Sequence, residues 1–430
     1  MKKVGMISLG CAKNLVDSEN ILGLLDHDKY QIVNDIEQAD IVFINTCGFI
    51  ESSKKESIDT ILDVISYDKK VVVTGCLVQR YKEELEKEIP EVAKFISIKD
   101  YFHLNDILQE IDPELNESGG IDDKYRIVST GKFSAYLKIG EGCDNCCTYC
   151  AIPLIRGHFV SRPLDEIIFE AKKLVEQGYK ELIVLEQDTT KYGIDLHNHE
   201  NIVTLLKELL KIKELEYIRL LYLYPDEISD ELIYLIRDNQ DRLTPYFDIP
   251  IQHSEDNILK AMNRRGNKEF LRQLFHKIKL EIPNAILRTT VMVGFPGETE
   301  KDFNGLKDFI KEIKFDHLGA FKYSKEEGTK SYNFPHQISE KIKQRRLDEI
   351  MELQQIISYE NNKNHIGEVM EGLIVGEENG DYLFRSYWNA PDDVDGKIYV
   401  NKTSKHQSGE KIKIKIDNAF VYDLVGHIIE

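Results

Sequence analysis

The sequence predicts an α/β protein in three successive parts: a doubly wound parallel sheet, a partial (β/α) barrel and a small antiparallel β-barrel. Three observations carry this. Short strand and helix patterns alternate over residues 1–112, and the alternation recurs on a larger scale over 133–335. From residue 363 the pattern changes to short β-type runs without helices.

In the first part the strand candidates are Val4–Leu9, Gln31–Val33, Ile41–Asn45, Val71–Thr74 and Phe95–Ile98. Between them Leu15–Leu25 and Ser52–Ile65 carry apolar residues at helical spacing, which makes the sheet parallel. Residues 113–130 are polar and Gly-containing, a linker. The second part, 131–362, offers strands at Ala135–Ile139, Leu182–Leu185, Ile218–Leu223, Tyr246–Ile251, Leu287–Val293 and Leu318–Phe321. Helical patterns at Asp165–Glu176, Asn201–Lys211, Lys268–Leu280 and Glu300–Ile313 separate them, and Thr299 with Asp302 reads as an N-cap. Six βα units make an open barrel of the TIM type rather than a full eight-fold one. Ser339–Asn362 is a charged connector helix. In the third part, 363–430, strands at Val369–Val375, Tyr382–Trp388, Lys397–Val400 and Lys411–Ile416 suit a five-stranded barrel.

The 430 residues carry a net charge of −19, and no window approaches a membrane-spanning apolar run. The N-terminus lacks the pattern of a signal peptide, so the expected location is the cytoplasm. Such acidity argues against a large nucleic-acid footprint and suits a basic protein partner.

Seven cysteines make an odd number, a poor disulfide framework and a better metal or catalytic set. Four of them, Cys143, Cys146, Cys147 and Cys150, fall within eight residues just after the first barrel strand. Cys143, Cys147 and Cys150 have the spacing C-x3-C-x2-C, which on one tight loop wraps three corners of a cubane iron–sulfur cluster and leaves one iron open. That iron can chelate S-adenosylmethionine and deliver one electron to its sulfonium, giving a 5′-deoxyadenosyl radical. A zinc site could recruit Cys146 as a fourth ligand, but four cysteines so crowded are awkward for a tetrahedron.

The other three, Cys11, Cys47 and Cys76, each follow a strand candidate of the first sheet and each adjoin a glycine (Gly10, Gly48, Gly75). Strand ends of a parallel sheet share one edge, so these residues should converge. Any one alone is best read as a buried inert thiol. Together they point to a second metal site, again with three ligands and one open iron.

On these residues the chain resembles the radical S-adenosylmethionine superfamily, with Tyr149 where an aromatic often precedes the last cysteine. With two open clusters it resembles, along nearly its whole length, the methylthiotransferase family, whose members join an N-terminal cluster domain, a radical core and a C-terminal TRAM barrel. The resemblance implies two 4Fe–4S clusters and two uses of S-adenosylmethionine, one to methylate a cluster-held sulfur and one to make the radical. Ser8-Leu-Gly-Cys-Ala-Lys-Asn-Leu-Val-Asp-Ser-Glu19, Asn45-Thr-Cys-Gly-Phe-Ile-Glu51, Tyr323-Ser-Lys-Glu-Glu-Gly-Thr329 and Asn389-Ala-Pro-Asp-Asp-Val-Asp-Gly396 look like the branch acting on a ribosomal protein. Relatives there more often have Asp at the position of Asn389.

That branch implies methylthiolation of the β-carbon of an aspartate in small-subunit ribosomal protein S-twelve, with an electron donor such as a flavodoxin or ferredoxin. The alternative is the branch modifying tRNA adenosine, where the stretch matching Lys325-Glu326-Glu327 typically contains Arg and Pro. Residues 361–430 hold 8 Lys and Arg against 12 Asp and Glu, a net of −4, which suits a basic protein better than tRNA.

Weaker cofactor-site candidates are Gln187 and Asp188, His253, Arg288 and Gly294, all read as lying at carboxyl ends of barrel strands. His253 is alternatively a packed, hydrogen-bonded ring, and Arg288 either pairs with the cofactor or the substrate carboxylate or is structural. Trp388, the only tryptophan, is expected to pack the small barrel.

Overall fold

In a computed structural model the described residues are 1–25, 28–111, 126–131, 133–197, 200–391, 395–402 and 405–429. Most of the expected linker, 113–125, therefore lies outside the described residues.

The N-terminal part holds β1 (Lys2–Ser8), α1 (Ala12–Gly23), β2 (Tyr30–Ile32), β3 (Ile41–Thr46), α2 (Glu51–Ile65), β4 (Lys70–Gly75), α3 (Cys76–Glu88), β5 (Lys94–Ile96) and α4 (Leu104–Ile111). Its sheet order is β2-β1-β3-β4-β5, parallel throughout. β3 is buried along its whole length because helices cover both faces, which explains its unbroken apolar run. β1, β3 and β4 are neighbours, so their three cysteine-bearing ends lie side by side.

The central part begins with β6 (Ser134–Lys138), β7 (Gly140–Glu141), α5 (Ile152–Arg156), β8 (Val160–Ser161) and α6 (Leu164–Glu176). It continues through β9 (Glu181–Leu185), α7 (Ile202–Leu209), β10 (Tyr217–Leu220), α8 (Asp230–Asp238), β11 (Tyr246–Asp248), α9 (Asp256–Ala261) and α10 (Lys268–Glu281). β12 (Ile286–Val293), α11 (Glu300–Ile313), β13 (His317–Lys322) and the connector α12 (Glu340–Lys363) complete it. Two parallel ribbons, β10-β9-β6 and β11-β12-β13, are joined by the Ile218–Leu243 bridge and by Leu223 N donating to Asp248 O at 2.8 Å. The result is a six-stranded open barrel with helices packed outside in one large core. Thr299 and Asp302 form the expected reciprocal cap on α11.

The C-terminal part closes β14 (Val369–Glu378), β15 (Asp381–Arg385), β16 (Ile398–Val400), β17 (Lys411–Ala419) and β18 (Leu424–Ile429) into a barrel ordered β14-β15-β16-β18-β17. It is antiparallel except for one pair: β16 runs parallel to β18, so the barrel is mixed rather than wholly antiparallel. Closing five strands by joining the third to the fifth forces that parallel contact.

This barrel does not stand apart. Its apolar interior is continuous with Tyr136, Ile183, Leu221, Tyr246 and Ile286 of the central strands. Arg219, 1% exposed, pairs with Glu181 at 3.0 Å and donates to Ser386 O at 2.7 Å. The Tyr246 hydroxyl bonds Asp395, and His317 Nε2 bonds Trp388 O at 2.8 Å. Trp388 is fully buried, edge-on to His317 at 4.9 Å, so it packs as expected and at the seam between the parts.

Candidate active site at the domain interface

The Cys143–Cys150 loop leaves from β7 and is closed off by β8, which pairs with β7 antiparallel, so a short clasp holds both ends. Cys143 N donates to Gly157 O at 3.1 Å. Gly142, with φ +80°, is required there, because a Cβ would lie 1.9 Å from His158 O. Inside the loop Cys150 N donates to Cys147 O at 3.0 Å, and Ile152 N to Cys150 Sγ at 3.4 Å. The segment after β9 and the end of α9 pin it: Asn145 donates to Asp188 at 2.7 Å, Asn263 to Cys146 O at 3.1 Å, and Thr148 N to Met262 O at 3.0 Å. Cys146 takes a left-handed φ of +50° and is exposed, whereas Cys143, Cys147 and Cys150 are half-buried. Burial pushes the Cys143 thiol up to about 11 and the Cys150 thiol well up. Unliganded they are neutral thiols, and a bound metal deprotonates such a group outright.

The second triad assembles at the sheet edge. Cys11 precedes α1, Cys47 follows β3, and Cys76 opens α3. A Cβ on Gly10 would lie 2.9 Å from Cys47 Cβ and 3.0 Å from its sulfur, so only glycine lets the first two loops meet. Gly75 sits as tightly against the Asn45 side chain. Asn14 braces the edge by donating to Leu9 O at 2.9 Å and Thr46 O at 3.1 Å, and its Oδ1 lies 3.4 Å from Cys76 Sγ. Desolvation raises the Cys76 thiol to about 11 and also raises Cys47. Among the described residues no three His, Cys, Asp or Glu groups converge on a single-ion site. Three thiols on one short loop, and three more at adjoining strand ends of one sheet, are in their chemistry the donor set of a multi-iron group. Both triads fit it in donor chemistry.

Buried charge joins them. Arg156, from the helix after Cys150, crosses to the N-terminal part and pairs with Asp17 at 2.7 Å and Glu141 at 3.1 Å. It also donates to Asn14 Oδ1 at 2.5 Å and reaches Cys76 Sγ at 3.7 Å. Lys138 closes the square, 2.6 Å from Asp17 and 3.1 Å from Glu141. On the far side Glu326 binds Lys54 and Arg80, each at 3.1 Å, while Arg80 holds Gly48 O at 2.7 Å beside Cys47. Arg264, stacked on Tyr224 at 3.9 Å, lies 3.9 Å from Cys147 Sγ. Sequence patterns name none of these as site residues. Asp17 and Glu326 lie inside segments singled out above, and Glu141 lies two residues before Cys143.

The weaker candidates divide. Asp188, raised by burial, anchors the cysteine loop through Asn145. Gln187, with its amide reversed, donates to Gly142 O at 3.3 Å. Arg288 is not at a strand end: it is the third residue of β12, paired with Asp248 at 2.8 Å and Asp395 at 3.1 Å, and so braces the C-terminal barrel. Gly294 packs against α12, where a Cβ would meet Lys343 at 2.3 Å. His253 is wholly buried, its Nδ1 accepting from Glu255 N at 3.0 Å, which is the packed-ring alternative.

Glu298, 4.0 Å from His253, is raised to about 7 because burial outweighs Arg346 and two backbone donors. Its folded value lies above its unfolded one, so it contributes stability that is complete below about pH 4.5 and is lost as pH rises through about 7. Urea unfolding of the full chain between pH 5 and 7 should show that decline, up to about 3 kcal/mol. Glu298→Gln keeps the acceptor for Gly294 N and Phe295 N and should flatten it.

Family models match three stretches: an uncharacterised protein family, UPF0004, over 3–97, the radical SAM superfamily over 137–310, and the TRAM domain over 366–429. The chain is similar to the ribosomal protein uS12 methylthiotransferase RimO of Alkaliphilus oremlandii, 48% identical over 99% of this chain and 98% of that one. The protein of the same name from Clostridioides difficile is 46% identical over 100% and 99%. Among solved structures, the radical S-adenosylmethionine methyltransferase TsrM from Kitasatospora setae shares the fold, with TM-score 0.56, 13% identity, and 74% and 73% coverage. The cobalamin-dependent radical enzyme OxsB does so at TM-score 0.51 and 13% identity, covering 83% of this chain and 56% of that one. On identity of this level over its full length, the chain belongs to the RimO family of radical S-adenosylmethionine methylthiotransferases.

Proposed function

We propose that the chain methylthiolates the β-carbon of an aspartate in ribosomal protein uS12, using two 4Fe–4S clusters and two molecules of S-adenosylmethionine. Cys143, Cys147 and Cys150 would hold the radical-generating cluster, and Cys11, Cys47 and Cys76 the one that carries sulfur. When bound, the first supplies one-electron cleavage of the sulfonium and the second an open iron for sulfur. The observation that carries the reading is the pairing of two thiol triads across one interface, with Arg156 reaching from the helix after one triad to the thiol of Cys76 in the other.

The chain's own groups do the rest. The β7–β8 clasp and the Asn145–Asp188 bond fix the loop before ligation, which limits the ordering needed for catalysis. The Arg156–Asp17–Glu141–Lys138 square holds the sheet edge against the barrel mouth. The apolar flank of α1, Ala12 and Val16, helps cover that mouth, which excludes water from a reactive radical. Gln187 and Asp188, at the end of β9, line the mouth next to the loop, where S-adenosylmethionine would bind. The electron donor would be a small redox protein such as a flavodoxin or ferredoxin.

Anaerobically reconstituted protein is expected to hold about eight irons per chain, and a value near four would remove the second cluster. Mass spectrometry of a deletion strain should show uS12 lighter by one methylthio group with tRNA unchanged. A missing tRNA modification with uS12 intact would instead assign the tRNA branch.

A further inference from the structure

Arg264 places a buried guanidinium against the middle thiol of the barrel loop. It follows α9, where Asn263 turns the chain with a left-handed φ of +58°, and it is only 9% exposed. Its Nη1 donates to Cys147 Sγ at 3.9 Å and its Nη2 to Pro250 O. The same guanidinium lies 3.9 Å from the centre of the Tyr224 ring, whose hydroxyl is itself 3.6 Å from Cys147 Sγ. Tyr224 is fixed in turn, its backbone N donating to Thr190 Oγ1 at 3.0 Å. Two side chains from separate loops therefore converge on one sulfur.

No acid offsets this cation. The carboxylates of the loop after β10, Asp226 and Glu227, are taken by Arg265 at 2.7 and 3.0 Å. Among the described residues no carboxylate lies within ion-pair distance of Arg264, and Tyr149, Cys147 and Tyr224 surround it instead. The other triad differs. Arg156 reaches Cys76 Sγ at 3.7 Å, but there Asp17 and Glu141 offset the charges of Arg156 and Lys138. A guanidinium does not deprotonate in a protein, so the difference between the triads is permanent.

We infer that Arg264, aided by Tyr224, raises the reduction potential of the iron–sulfur group proposed for Cys143, Cys147 and Cys150, and so directs the incoming electron to that triad. The inference rests on the proposed assignment of the triads and adds the residues that decide which one is reduced. Reduction adds one electron, from a donor of the flavodoxin or ferredoxin class, and one negative charge; no proton moves, because Arg264 keeps all of its own. A fixed positive charge and hydrogen bonds donated to a ligand sulfur favour the more negative, reduced form. Arg264 acts through Cys147 and is a positioning residue.

The test is a potentiometric titration of the reconstituted full chain with dithionite, followed by electron paramagnetic resonance. A Cys47→Ala background leaves one reduced signal to read. Arg264→Gln keeps a donor and removes the charge. It is expected to lower the reduction equilibrium constant about tenfold, a midpoint about 59 mV lower for one electron. Arg264→Lys should keep most of the parent value. Tyr224→Phe keeps the ring under the guanidinium and should give a smaller change in the same direction. Mere loosening of the loop has the opposite sign, because admitted water favours the more highly charged, reduced form. An unshifted or raised midpoint in Arg264→Gln, or an Arg264→Lys midpoint as low as that of Arg264→Gln, overturns the proposal. If Arg264→Gln takes up no iron, Tyr224→Phe decides, and an unshifted midpoint there overturns it equally. A parent with Arg264 intact that takes up no iron overturns the assignment of the triad itself, a failure seen before any variant is compared.

Discussion

Cys147→Ala is expected to bring 5′-deoxyadenosine formation below detection, a loss of more than about 10³-fold, and to lower bound iron by about half. Cys147 is the middle thiol of the loop, braced by Tyr224 at 3.6 Å and approached by Arg264. Two remaining thiols on so tight a loop cannot hold a cubane. Cys47→Ala should halve the iron too, yet leave 5′-deoxyadenosine detectable while no methylthiolated product forms. The two variants together assign a task to each triad. Cys146→Ala should change neither readout, because its left-handed backbone turns it outward. Iron analysis and chromatography of the quenched reaction read all three; a Cys47→Ala enzyme that still forms product would break the division of labour.

Arg156→Met should be the most damaging change outside the proposed cluster ligands themselves. It strands Asp17, buried in the interface, with Lys138 alone and removes the donor beside Cys76. Breaking a buried pair from one side costs about 3–5 kcal/mol. Chemical denaturation should report that loss, with hydrogen exchange rising first in α1 and α5. Methylthiolation should fall by about 10²-fold, because a shift of about 1 Å between reacting groups has that effect. Release of 5′-deoxyadenosine unaccompanied by product should increase as a fraction of turnover. Wild-type stability in this variant would mean that the charged square contributes nothing to docking.

Much of this architecture was legible in the sequence because it is local. β9 lies within a residue of its expected bounds, and β12 and β13 within a residue at each end, since apolar runs between helical stretches specify parallel strands. The two cysteine triads were legible for a related reason: strand ends of a parallel sheet share an edge, and a glycine beside each cysteine marks close approach. What joins the triads was not. Arg156 and Asp17 are 139 residues apart, and no periodicity couples them. Arg288 was misread as a strand-end cation although its expected strand, like the observed one, runs on to Val293; it sits near the start of β12, against Asp248. The parallel contact of β16 with β18 escaped because it depends on closure of the whole barrel.

The seam at Trp388 has a consequence for how this protein can vary. Because the hydrophobic interior of the last 60-odd residues continues into the floor of the central barrel, with Arg219, Tyr246, His317 and Arg288 reaching across, the C-terminal module is not an interchangeable attachment. A graft from a distant homologue must bring its own matching floor residues or leave Glu181 without Arg385 and Arg288 without Asp395. Substitutions on one side of the seam are therefore expected to need matching substitutions on the other, and exchanging the module alone should cost stability.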